Sequence, residues 1–235
     1  MAKPTGEILR LEAFSDGVFA LSATLLVVSL EVPKTVPELI AEIPGFAAFA
    51  LSFAALVLIW SVHNAFFRRY PLQDPWTIVL NSCLLFVVLF YVYPLKFLAK
   101  GFARSVFGIS EAGASGHLIR NAGELSALFV LYGIGFSVVF LCVALLYRHA
   151  YRQRADLELT AAEGQEALLY FRHYLIFVFV GLLSVLVAWR GIGLRIGFPG
   201  WIYALIGPLC YAHGTWSHRR QPAVELGAEG SGRSI

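Results

Sequence analysis

The chain has 235 residues, of which 58% are apolar and only 14% charged, with a formal net charge of +3. An ordinary soluble domain carries about a quarter charged residues, so this composition excludes a soluble enzyme or binding domain. The few basic residues sit in loops rather than on a groove, so nucleic acid is excluded as a partner.

Stretches of about 18 or more residues nearly free of charge mark membrane-spanning helices. Six such runs follow one another: Leu9–Leu30, Ile43–Phe67, Pro75–Leu95, Leu125–Tyr147, His173–Trp189 and Ile196–His218. The fifth is barely long enough, and Pro199 and Pro208 interrupt the sixth. Continuous apolar character, without strand-like alternation, argues against a barrel. The fold class is therefore an all-α membrane protein with six transmembrane helices. Residues 1–220 form one unit, and residues 221–235 read as a low-complexity, disordered tail. The start "MAKPTGEILR" lacks the apolar core and cleavage site of a secretory signal.

Six spans put both termini on one side. Eleven of the eighteen basic residues fall on that side, Arg68, Arg69, Arg148 and Arg152 among them. Basic loops face the cytoplasm, so the expected location is the cell membrane with both termini cytoplasmic. The connection between the fourth and fifth runs predicts two projecting helix ends around a break at about Thr160 to Gly164. Cys83, Cys142 and Cys210 stand alone in different spans and read as small packing residues, with no metal spacing.

The first span, "RLEAFSDGVFALSATLLVVSL", carries a charge at its mouth. At about 100° per residue, Phe14, Gly17, Val18, Thr24, Leu25 and Val28 share a face with Leu21. Asp16 points about 140° away from Leu21 and Ser15 about 120° to the other side. Arg10 is six residues before Asp16, which is not a helical pair spacing. Asp16 reads either as a structural carboxylate or as part of an ion or catalytic site. The stripe reads either as a packing face or as a wall lining a path. On the second span, Trp60, His63, Asn64 and Phe67 recur at three- and four-residue spacing. A His and an Asn facing lipid would be unsatisfied. Antiparallel neighbours bring them level with Ser15 and Asp16, so His63 is either a satisfied packing histidine or a member of a linked polar network.

These residues resemble a family. Arg10-x-x-x-Phe14-Ser15-Asp16-Gly17, with the apolar face through Leu30 and with Trp60-x-x-His63 on the second helix, is similar to the first-helix signature of the transmembrane protein 175 potassium channels. The resemblance is most specific over about fifty residues, and the layout of spans extends it over nearly the whole chain. It implies the short prokaryotic type, with one six-helix unit per subunit, a homotetramer, and helix 1 lining a central pore. It implies potassium as the permeant ion, no cofactor, and no TVGYG filter. By position it assigns Leu21 to the pore constriction, Thr24 to selectivity with transient K+ near both, and Leu25 and Val28 to further apolar layers. Gly17 lies on the cytoplasmic side of the neck. Arg10, Phe14, Ser15, Asp16, Trp60, His63 and Asn64 then form the structural polar network that fixes the helix angle. Leu21 and Val28 depart from the isoleucine and leucine common elsewhere in the family, which alters pore width.

The rival expectation is a secondary transporter coupled to protons through Asp16 and His63, with the broken sixth span in its favour. An intramembrane enzyme would need a motif such as HExxH or GxSxG, or a second acid beside Asp16, and the sequence offers none.

Overall fold

The computed structural model describes residues 6–28, 34–107 and 121–220. Among these residues five long helices carry the fold: α1 (Gly6–Val28), α2 (Val36–Arg69), α3 (Pro75–Phe107), α4 (Ala122–Arg152) and α5 (Ala161–Trp189). Each contains a stretch long and apolar enough to cross a membrane. At 34 and 33 residues, α2 and α3 reach about 50 Å, more than the hydrocarbon thickness, so both overrun their apolar stretches. The tail over 221–235 lies outside the described residues.

Local sequence sets the helix starts. Asp74 precedes Pro75, which opens α3 with the fixed φ a first helical turn accepts. The Asp74 carboxylate accepts from the Trp76 and Thr77 amides at 3.0 and 3.4 Å and from the Thr77 hydroxyl at 2.6 Å. Asn121 caps α4 by accepting from the Glu124 amide at 2.9 Å. Thr160 and Glu163 form a reciprocal capping box at the start of α5. That box moves the break between α4 and α5 earlier than the sequence suggests. The chain leaves the helix after Arg152 and re-enters at Ala161, so Gly164 lies inside α5. The fifth helix accordingly begins twelve residues before His173.

The expected single span Ile196–His218 takes another form. It folds as a 3-10 turn (Leu194–Ile196), a four-residue helix α6 (Phe198–Trp201), a second 3-10 turn (Ile202–Leu205) and helix α7 (Ile206–Arg220). Gly193 and Gly197 adopt left-handed backbone, φ +64° and +67°, which glycine tolerates without strain. Pro199 enters at the first turn of α6. Proline's missing amide and ring clash prevent one unbroken α-helix through this region. Alone, the 15 residues of α7 cover about 22 Å, short of a full crossing.

Helices pack largely in chain order, with α1 also against α3. The closest pair is α4 and α5, and small residues permit it. A Cβ on Gly133 would lie 2.5 Å from Val185 Cγ2, and one on Gly181 would lie 2.4 Å from Ser137 Oγ. Close backbone approach through small residues is how helices associate in lipid, where no hydrophobic drive joins them. The shared core includes Phe19, Leu26, Leu56, Phe66, Leu84, Val143 and Leu146. A string of rings from Phe136 through Phe140, Tyr174 and Tyr147 extends it between α4 and α5.

Candidate functional site

One face of α1 is buried against the chain and the other is open. Ser15, Phe19, Ser22 and Leu26 are buried, at spacings of four, three and four. Phe14, Gly17, Leu21, Thr24 and Val28 are all exposed, at spacings of three, four, three and four. Val28 is 72% exposed and Leu21 51%, so nothing among the described residues covers them. An added Cβ at Gly17 would meet nothing within 4 Å. Packing inside the subunit therefore does not require that glycine. Leu25 is half-buried and packs against the core, at the edge of the open face.

Thr24 donates its hydroxyl proton to the Ala20 carbonyl at 2.9 Å. This back-bond holds the side chain in one orientation and leaves the oxygen lone pairs outside the helix. On the opposite face, Ser22 makes the same bond to the Val18 carbonyl at 2.9 Å, which satisfies it in the core.

Behind the open face, a polar tie joins three helices. Asn81 Nδ2 donates to Ser15 Oγ at 2.9 Å, and Asn81 Oδ1 accepts from His63 Nε2 at 2.7 Å. Ser15 in turn donates to the Leu11 carbonyl at 2.9 Å. Ser15 and Asn81 are fully buried and His63 nearly so. An unsatisfied polar group in this setting costs free energy, so each must find the others. The His63 ring also packs on Phe19 and Phe67, with centroids 5.4 and 4.7 Å away.

A second bond links α1 and α2 at the surface, where Trp60 Nε1 donates to Asp16 Oδ1 at 2.8 Å. Asp16 is thus oriented by an indole, and no cation pairs with it among the described residues. Both residues line a cleft of about 300 Å³ between α1 and α2, with Phe19, Ala20, Ala23, Phe53, Leu56 and Val57. Two other predicted members stay outside these bonds. Arg10 is exposed and makes no ion pair among the described residues, and half-buried Asn64 takes no part in the tie. Phe14 lies on the open face rather than in the network.

The sequence pattern does not single out Asn81. The signal was present, because a lone amide inside the apolar run Pro75–Leu95 needs a partner as much as His63 does. At the far end of α2 a polar latch holds the hairpin of α4 and α5 against the turn before α3. Arg69 pairs with Glu166, and His149 Nε2 lies 2.9 Å from Asp74 Oδ1. Burial works against charge on Asp74. The Thr77 and His149 bonds outweigh it and hold the carboxyl below its ordinary value.

These features define a multi-pass α-helical membrane protein whose first helix leaves one face uncovered by the other described residues. Comparison with known proteins narrows the class. A family model described as endosomal/lysosomal potassium channel TMEM175 matches residues 10–91, the region of α1, α2 and most of the apolar part of α3. A protein of Marivirga tractuosa called "Potassium channel" is 38% identical over 212 residues, covering 87% of this chain and 85% of the relative. The crystal structure of a variant of the potassium channel MtTMEM175, in complex with a nanobody fusion protein, superposes with a TM-score of 0.79 at 36% identity, covering 90% of this chain and 94% of that one. A Chamaesiphon minutus homolog of the lysosomal potassium-selective channel TMEM175 gives a TM-score of 0.51 at 25% identity, covering 86% of this chain and 99% of that one. The chain belongs to the TMEM175 family.

Proposed function

We propose that this chain is a potassium channel in which four copies surround a central pore lined by α1, with Leu21 as an apolar gate. One observation carries the reading: Phe14, Gly17, Leu21, Thr24 and Val28 form an open stripe on α1 while its other face is buried. The stripe is one edge of a broader open arc that also takes in Ala13, Ala20 and Val27, and it is the edge that carries Leu21 and Thr24. A ring of Leu21 side chains excludes water from the neck and so stops ions, because an ion sheds its hydration shell reluctantly there. Thr24, with its hydroxyl proton already committed to Ala20, offers oxygen to a partly dehydrated K+ one turn on. The sequence contains no TVGYG string, so side chains take the part that backbone carbonyls play in other potassium channels.

In this reading the Ser15–Asn81–His63 tie and the Trp60–Asp16 bond set the rotation of α1, and neither touches the ion. The sixth crossing is made by the continuous helical turns from Phe198 to Arg220, and both termini lie in the cytoplasm. The relatives named as potassium channels support the choice of ion.

The experiment is reconstitution into liposomes under opposed potassium and sodium gradients, with single-channel recording. Unitary currents that reverse toward the potassium potential are expected, together with a detergent-solubilised mass of four chains. Slow, saturating flux driven by a proton gradient would overturn the reading in favour of a carrier.

A further inference from the structure

We propose that Arg148 and Arg152 at the end of α4, with Phe171 of α5 beside them, form a headgroup site for an anionic phospholipid. The sequence of α4 lays out the site. Ile134, Leu141, Leu145, Arg148 and Arg152 recur at spacings of seven, four, three and four, so they share one face. Leu145 is half-buried and the other four are exposed, so the rest of the described residues leave this face open. Arg148 is the first charged residue after Glu124, and it marks the end of the apolar run Leu125–Tyr147. From Leu145 back to Ile134 the apolar stripe runs about 16 Å. That is about half the hydrocarbon thickness, the depth that the acyl chains of one lipid reach.

The Arg148 guanidinium lies over the Phe171 ring, 5.6 Å from its centroid. A ring face steadies a cation without neutralising it. Among the described residues no carboxylate pairs with Arg148 or Arg152. The acids at this end of the bundle are engaged elsewhere. Glu166 pairs with Arg69, Asp74 bonds to His149, and Glu163 closes the capping box of α5. Asp156 and Glu158 lie exposed in the connection beyond α4. Two uncompensated cations at the edge of an apolar face call for an anion that brings its own apolar tail. A phospholipid of net negative charge meets both demands. Its phosphate oxygens accept the guanidinium N–H groups in the paired geometry that arginine favours, and its acyl chains cover Leu145, Leu141 and Ile134. Free phosphate would satisfy the arginines and leave the apolar stripe bare.

The test uses the full chain in detergent, with dioleoyl phosphatidylglycerol as the anionic lipid and dioleoyl phosphatidylcholine as its zwitterionic counterpart. Bound lipid is counted by native mass spectrometry. Phosphatidylglycerol is expected to stay bound where phosphatidylcholine is lost. Arg148→Gln and Arg152→Gln should each weaken its binding about fivefold, and the double variant about thirtyfold. Arg68→Gln removes the same charge from an exposed position at the end of α2 and should leave binding unchanged. Should Arg148→Gln fail to fold, Arg152→Gln, at an exposed position, decides alone. Inorganic phosphate should not displace the lipid. Equal retention of the two lipids, an equal loss in Arg68→Gln, or displacement by inorganic phosphate would overturn the proposal. So would a double variant that changes oligomer mass and keeps its lipid, which would make this face a contact between copies. None of these readouts depends on ion conduction.

Discussion

Asn81 on α3 clasps Ser15 on α1, its Nδ2 donating to the serine oxygen at 2.9 Å while its Oδ1 takes a hydrogen bond from His63 on α2 at 2.7 Å. One amide thus fixes the relative height and rotation of three helices. Replacing it by alanine leaves two buried partners unsatisfied. We expect Asn81→Ala to destabilise the protein by about 1–3 kcal/mol, measured by unfolding in graded detergent denaturant. An unchanged midpoint would remove the tie from the account of stability.

The open stripe on α1 leads to a different kind of prediction. Leu21→Ala and Leu21→Ser should both raise potassium leak in liposomes. If truncation lowers the barrier by about 1.4 kcal/mol, flux rises about tenfold. Unchanged flux in both variants would remove Leu21 from the gate.

Asp16 accepts from Trp60 and lies away from Leu21. Asp16→Asn should therefore impair assembly more than ion preference, seen as a smaller fraction of full-size oligomer on gel filtration. Trp60→Phe removes the same bond and should cost about 0.5–1.5 kcal/mol. A stable oligomer with altered preference for potassium over sodium would count against a purely structural acid.

Close approach of α4 and α5 rests on glycines. At Gly181 any side chain meets Ser137 Oγ at 2.4 Å, so Gly181→Val forces the helices apart. A loss of about 1–3 kcal/mol or more is expected from such overpacking. Gly17→Ala, with open space around it, is the control and should leave subunit stability intact.

Asp74 gives a pH signature. Its folded-state pKa lies below the unfolded value of 3.8, so its contribution is fully present above the unfolded value. It is lost as pH falls through the lowered one. Asp74→Ala should cost about 0.5–2 kcal/mol at neutral pH, as loss of a helix cap does. The gap between variant and wild type should close in strong acid. A gap that persists there would assign the effect to packing.

Much of this molecule is readable locally. Charge-poor runs of sufficient length mark the five long membrane helices of the described residues, because the cost of burying charge in hydrocarbon acts on each segment by itself. The period of the α-helix separates Asp16 from the Leu21 face without knowledge of any neighbour. The same reasoning demands a partner for His63 but cannot name one. Only the tertiary structure selects Asn81 for His63 and Ser15, gives Asp16 to Trp60, and, among the described residues, leaves Arg10 and Asn64 out of these bonds. Those choices depend on the depth and rotation of one helix against another, which packing between distant residues sets. The sixth run shows the same division: its prolines announce a break. Where the turns fall depends on how Gly193 and Gly197 adopt left-handed backbone and how Ser184 of α5 reaches across to donate to the Pro199 carbonyl.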